Sequence, residues 1–272
     1  MDTFSIWADD LTKTYPGGGK KGREPVVAVD HIHLQVAQGE FYGFLGPNGA
    51  GKSTTIKMLT GLLRPTSGRI VIAGHDISGD SLAVKRVIGV LPEDLNLYER
   101  LTAPEFLIFA GQMYGLSVND ARHRAEELLQ LMELTDAGDK MIVDFSMGMK
   151  KKTALAGAMI HAPKVLFLDE PFNGIDALSA RAIRDVLRRM IEHGTTIFFS
   201  SHVMEVVEKL CTRLAIIAKG RIVGEGTLDD LRGQIENPEA TLEDIFVRLV
   251  SSPIPEGMVG QVPLNELDWL SA

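Results

Sequence analysis

Gly46-Pro47-Asn48-Gly49-Ala50-Gly51-Lys52-Ser53, followed by Thr54, sets three glycines, a lysine and two hydroxyls within nine positions. The spacing G-x-x-x-x-G-K-S suits one task, holding a phosphate chain. Glycines let successive backbone N–H groups turn inward on phosphate oxygens. A helix starting at Gly51 points its positive end at the same anion. Lys52 is then placed to reach the β- and γ-phosphates, and Ser53 to offer its hydroxyl to Mg²⁺. A glycine-rich turn with an exposed lysine is the alternative. The second chemical signal is Leu166-Phe167-Leu168-Asp169-Glu170, an apolar run ending in two carboxylates. In open parallel sheets, ligands bind beyond the carboxyl ends of the strands. Asp169 suits Mg²⁺, held through water, and Glu170 suits polarising the water that attacks the γ-phosphate. A helix-capping role for one of the pair is the alternative.

These groups need a sheet to position them, and the flanking pattern predicts one. Strands are expected at Ser5–Tyr15, Val26–Val36, Glu40–Leu45, Arg69–Ala73 and Val87–Leu91. Helix is expected from Gly51 to about Leu62. From about residue 94 to 160 the character turns mainly helical, with Ala121, Ala125, Leu128, Leu129 and Met132 at helical spacing. Asn119 or Asp120 is the expected cap of that helix. Strands and helices then alternate to Val250. Val165–Leu168 is apolar throughout, as in a strand buried on both faces. The expected fold is α/β. It has a P-loop core of largely parallel strands, an antiparallel β portion at the N-terminus and an inserted helical subdomain. The expected domain covers residues 4–250, and Pro- and Gly-punctuated residues 251–272 read as a tail, with Leu264–Leu270 as a possible docking element.

Composition excludes several classes. Hydrophobic residues at 45% and charged residues at 24% allow a sizeable core, which argues against wholesale disorder. A net charge of −8 argues against general nucleic-acid binding. One cysteine, Cys211, permits no disulfide or multi-cysteine metal site and fits a reducing compartment. It reads as a small buried hydrophobe on a helix. His31 and His33 lack further ligands nearby in sequence and do not read as a metal site. No apolar run reaches the ~18 residues of a membrane span. Met1–Asp10 carries acids and no base, unlike a secretory leader. Any membrane role is therefore expected to come through a partner.

Together with the segments below, these elements resemble the nucleotide-binding subunit of ATP-binding cassette (ABC) transporters over nearly the whole chain. Phe145-Ser146-Met147-Gly148-Met149-Lys150 resembles the signature motif of that family, most often Leu-Ser-Gly-Gly-Gln. Ser146 and Gly148 keep the positions that contact phosphate; Met147 and Met149 depart from the common form. Such variants are familiar in the exporter-like branch whose permeases are separate chains. The resemblance implies that a helix N-terminus is offered here to the γ-phosphate of ATP held by a second copy. Lys150, Lys151 and Lys152 are unfavourable in the first turns of an isolated helix. An adjacent phosphate offsets that, and a solvated face is the alternative. His202 matches the switch histidine that contacts the γ-phosphate and helps orient Glu170. Asn173–Asp176 matches the loop by which subunits sense each other, with Asp176 the corresponding acid. Tyr15 matches the aromatic that stacks on adenine. Glu93 stands where the family usually has glutamine; either side chain offers Mg²⁺ an oxygen. The carboxylate is expected to reduce turnover or make it more strictly Mg²⁺-dependent. Residues 94–101 and the helical subdomain correspond to the permease groove, with Leu95, Leu97, Tyr98 and Phe106 as lining or as plain core. The Lys20–Arg23 loop reads as a flexible hairpin connection.

The resulting expectation is a Mg²⁺-dependent ATPase on the cytoplasmic face of the membrane. It closes head-to-tail with a second copy around ATP and drives a separate integral-membrane permease, with a lean toward export. An ABC-type ATPase serving a soluble process, a non-hydrolysing ATP-gated module and another P-loop enzyme such as a kinase are the alternatives.

Overall fold

The computed structural model describes residues 4–17 and 24–251. Two long strands, β1 (Phe4–Tyr15) and β2 (Val26–Ala37), pair antiparallel. A five-residue strand, β3 (Phe41–Leu45), leads into the glycine-rich loop and helix α1 (Lys52–Leu59). Next come β4 (Ser67–Ile72), β5 (His75–Asp76), α2 (Ser81–Val87) and β6 (Ile88–Leu91). Three helices follow: α3 (Ala103–Met113), α4 (Val118–Leu131) and α5 (Met147–Met159). The chain returns through β7 (Val165–Asp169), α6 (Ala177–Glu192), β8 (Thr196–Ser201) and α7 (Met204–Leu210). It finishes with β9 (Arg213–Ala218), β10 (Arg221–Gly226), α8 (Leu228–Gln234) and α9 (Leu242–Ser251).

One sheet has the order β2-β1-β4-β5 and is antiparallel. The other has the order β10-β9-β3-β8-β7-β6, parallel except for the β10 edge. Period-two alternation sorts this second sheet into two cores. Leu45, Leu166, Leu168, Phe199 and Ile216 face the helices α3 to α9. Tyr42, Phe44, Phe167, Phe198 and Ile217 face α1 and the antiparallel sheet. Both faces are covered, which is why β7 is buried and apolar along its length until Asp169.

Several elements differ from the sequence expectation. Helix α2 was not expected. It buries only Val84 and runs directly into β6, so it shows neither an apolar stripe nor a break. Helix α4 is capped by Ser117, whose hydroxyl accepts from the Asp120 N–H, rather than by Asn119 or Asp120. Ser251, assigned to the tail, is the last residue of α9. The readings for residues 20–23 and from 252 onward lie outside the described residues. Cys211 follows α7 rather than lying within it; its sulfur sits against β3, 2.7 Å from where a Cβ on Gly43 would stand. His31 pairs with Asp10 at 2.5 Å and His33 with Asp9 at 2.7 Å, both on the surface. Among the described residues no helix is long and apolar enough to cross a membrane.

Candidate functional site

The carboxyl ends of β3 and β7 open onto a cavity of about 340 Å³. Its floor is the glycine-rich loop: Pro47, Asn48, Gly49, Gly51, Lys52, Ser53 and Thr54 line it. Gly46 and Ala50 are buried behind them as support. Two glycines are required by position. Gly51 has φ +111° at the start of α1, and a Cβ there would meet the Ala28 carbonyl at 2.5 Å. A Cβ on Gly46 would meet the Ile217 carbonyl oxygen at 2.5 Å. That oxygen belongs to the backbone of β9, which is paired on both sides in the six-stranded sheet. Gly46→Ala is therefore expected to displace the loop and weaken ATP binding by about tenfold or more, since misplacement of ~1 Å is costly in a preorganised site. Titration with a fluorescent ATP analogue checks this.

The Lys52 ammonium is 7% exposed and donates to the Gly46 carbonyl at 2.8 Å. It also stands 3.7 Å from a Glu170 carboxylate oxygen. The other Glu170 oxygen lies 2.9 Å from Nδ1 of His202. Glu170 thus bridges the loop lysine and the histidine beyond β8. The Glu170 backbone lies in the left-handed region at φ +50°, uncommon outside glycine. Its N–H donates to the Ser200 hydroxyl at 3.1 Å, and that hydroxyl donates to Asp169 at 2.5 Å. Neither Asp169 nor Glu170 caps a helix: Asp169 is the last residue of β7, Glu170 follows it, and α6 is capped by Asp176. The imidazole of His202 is half exposed, so its second nitrogen is free to turn toward a phosphate.

The donor set fits a magnesium ion only together with phosphate. Ser53 and Glu93 line the cavity, and Asp169 stands 5% exposed behind it. Among the described residues there is no cluster of three His, Cys, Asp or Glu side chains able to hold a metal. Oxygens from a nucleotide and water must complete the shell, as is usual for this cation.

The remaining expected residues sit elsewhere. Tyr15 ends β1, 38% exposed, with the Lys13 ammonium 5.5 Å from its ring centre; it does not line the cavity. Ser146 caps α5, accepting from the Met149 N–H at 3.2 Å. Gly148 packs on the first turn of α6, where a Cβ would stand 2.4 Å from the Ser179 hydroxyl. Asp176 caps α6: its carboxylate accepts from the Leu178 and Ser179 N–H groups and the Ser179 hydroxyl. Those bonds, the Ser179 N–H first, hold its carboxyl below the usual range. None of the three lines the cavity of its own chain: Ser146 and Asp176 are exposed on a second surface, and Gly148 is buried beneath it against α6.

The solvated-face reading of the lysines fails for two of them. Lys151 and Lys152 are 4% and 7% exposed. Lys152 meets Glu133 at 3.2 Å, while the more open Lys150 meets Glu99 at 2.6 Å. Sequence reading also missed Ala28, which lines the cavity from β2. A small residue within a strand carries no signal of its own.

The ABC transporter family model matches residues 29–173. The linearmycin resistance ATP-binding protein LnrL of Bacillus subtilis (strain 168) is 38% identical over 254 residues, 93% of this chain and 77% of that protein. The daunorubicin/doxorubicin resistance ATP-binding protein DrrA of Streptomyces peucetius is 37% identical over 233 residues, covering 86% and 68%. A solved ATP-binding subunit of an ABC transporter superposes with a TM-score of 0.80 at 32% identity, covering 90% of this chain and 98% of that one. The ADP- and phosphate-bound dimer of the cassette MJ0796 gives a TM-score of 0.75 at 26% identity over 82% and 98%. With the phosphate loop, the paired carboxylates and the capped α5 all in place, the chain belongs to the ABC transporter family as an ATP-binding subunit, an ATP hydrolase coupled to transport.

Proposed function

We propose that this subunit hydrolyses MgATP inside a head-to-tail pair of identical cassettes and drives export through a separate membrane permease. The observation that carries the reading is the split of the site into two surfaces. Lys52, Glu170 and His202 converge on one cavity. Ser146 and Gly148 stand apart at the start of α5, where free N–H groups and the helix dipole suit an anion. A second copy brings its α5 to the first copy's γ-phosphate. The Asn173–Asp176 turn, beside Gly148, then lies at the junction. The dimeric MJ0796 neighbour supports this arrangement. Relatives named for linearmycin and daunorubicin resistance support export as the direction of transport. Residues 4–250 form the ATPase unit in this reading, and Tyr15 reaches adenine from the end of β1.

The chemistry follows from the placement. Glu170 accepts a hydrogen bond from water and takes its proton as the oxygen attacks the γ-phosphorus. The bond to the β,γ-bridging oxygen breaks, and ADP carries away the electron pair. Lys52 neutralises charge on the β- and γ-oxygens as it moves. His202 holds Glu170 in line through its 2.9 Å contact. Mg²⁺, when bound with the nucleotide, screens the phosphate oxygens; Ser53, Glu93 and Asp169 would hold it, Asp169 through water.

Glu93 adds a negative charge to this wall. Glu93→Gln is expected to raise turnover and to relax its Mg²⁺ requirement. Phosphate release measured across a magnesium series checks it; an unchanged curve removes the idea.

The permease surface is the segment before α3. Tyr98 is 58% exposed and makes an edge contact with Phe109 at 5.3 Å, with Phe106 6.5 Å away. Leu95, Leu97 and Phe106 are partly buried against the core beneath, so they shape the groove from below. The Lys150–Glu99 pair ties this segment to α5, so motion at the nucleotide is passed to the groove. Purification of the tagged chain from gently solubilised membranes tests the proposal. Recovery of a multi-span membrane protein in comparable amount, which stimulates ATP hydrolysis when reconstituted, is the expected result. Soluble partners alone would assign the ATPase to a soluble process.

A further inference from the structure

Lys151 has no part in the chemistry above, yet it is one of the most buried charges in the chain, 4% exposed. Its ammonium donates to the main-chain carbonyls of Glu170 at 2.7 Å and Asn173 at 2.6 Å. An ammonium has three donors and no acceptor, so two of the three are spent on this one turn. Burial lowers the lysine's pKa, and the carboxylates of Glu170 and Glu93 act against that shift, favouring the charged form. A buried charge of this kind is retained only where neighbours compensate it.

The turn it grips is the unusual one. Glu170 sits at φ +50°, a conformation that persists in a non-glycine residue only when its surroundings over-determine it. The Ser200 hydroxyl holds the N–H side at 3.1 Å. The Asn173 N–H reaches the Glu170 carbonyl at 3.2 Å, and the Lys151 ammonium binds the same oxygen more closely. Both peptide units around the Glu170 Cα are therefore fixed, one from β8 and one from α5.

We propose that Lys151 is a positioning residue for hydrolysis: it locks the Glu170 backbone so that the carboxylate stays between Lys52 and His202. The same helix begins at Ser146 and Gly148, so Lys151 also links the surface that meets the second copy to the base of its own chain. This rests on the reading of Glu170 as the group that activates water.

The test uses the full chain with Lys151→Met and Lys151→Arg, each in the wild-type and Glu170→Gln backgrounds. The readouts are kcat and KM for ATP, single-turnover hydrolysis, equilibrium ATP affinity and melting temperature. Lys151→Met is expected to lower kcat by about 10–100-fold with KM shifted by less than about twofold. Lys151→Arg, which keeps the charge and paired donors, recovers most of that loss. In the Glu170→Gln background, Lys151→Met changes the residual single-turnover rate by less than about twofold, because a residue acting through Glu170 is silent once that carboxylate is gone. Lys151→Gln, shorter and neutral, gives the same comparison where Lys151→Met does not fold. The proposal is overturned if kcat survives the loss of Lys151, if kcat and ATP affinity fall together, or if the two losses multiply. A Glu170→Gln variant with normal turnover would instead remove the reading of Glu170 itself.

Discussion

Glu170→Gln is expected to bind MgATP with near wild-type affinity and to hydrolyse it about 10²–10⁴-fold more slowly, the usual worth of a positioned base. The amide matches the carboxylate in size and keeps an oxygen for the His202 contact at 2.9 Å. It cannot accept the proton of the attacking water. The backbone around it is untouched, because its grip comes from Ser200 and Lys151 through main-chain atoms. Binding energy still draws two copies together, but the step that parts them is blocked. Gel filtration of the variant with MgATP is thus expected to show a lasting dimer, with monomer returning only after the nucleotide is removed. Normal phosphate release by this variant would take Glu170 out of the mechanism.

Lys52→Met carries the second large effect, and it falls on binding. The ammonium is 7% exposed and anchored on the Gly46 carbonyl at 2.8 Å, so it stands inside the loop rather than sweeping solvent. Two charge-assisted bonds to phosphate, at about 1.5–3 kcal/mol each, convert to roughly 10²–10⁴-fold in ATP affinity. The apolar stem of Met preserves the packing, so the loss reports charge rather than collapse. Removing Lys52 also leaves Glu170 without the cation 3.7 Å away. Isothermal titration with ATP is the direct measurement; affinity within about threefold of wild type would mean that backbone N–H groups alone hold the phosphates. The two variants part cleanly: one binds without turning over, the other fails to bind.

The parts of this site that sequence reading reached are those whose chemistry is local. A phosphate loop needs fixed residue types within nine positions, so Gly46 to Thr54 announces itself. Asp169 and Glu170 are visible because an apolar strand cannot end in two acids without a reason. A largely parallel sheet is legible in the alternation of strands and helices, and Val165–Leu168 reads as a strand buried on both faces because it has no polar position to offer water. Contacts between distant segments left no such trace. Ala28 is ordinary in β2 and matters only because it backs Gly51. Helix α2, with a single buried residue, lacks the periodicity that betrays an amphipathic helix. Asn119 and Asp120 have the residue types of caps, whereas Ser117 has the position, where the extended backbone turns into helix. The burial of Lys151 and Lys152 leaves no trace in the sequence for a related reason. Three like charges in a row suggest solvent, and only the fold shows Glu99, Glu133 and two carbonyls arranged to receive them.

The position of Cys211 against Gly43 has a practical use. The sulfur faces the interior, and burial raises the thiol's pKa well above its ordinary range, so little reactive thiolate forms near neutral pH. The sequence contains one cysteine. A maleimide dye added to the native protein is therefore expected to find almost nothing to modify. A new cysteine at Met147, 53% exposed on the first turn of α5, would label selectively without deleting the native thiol. Position 147 lies on the surface proposed to meet the second copy, between Ser146 and Gly148, so MgATP-driven pairing is expected to protect it from the dye, and the rate of labelling reads the closed fraction of the pair.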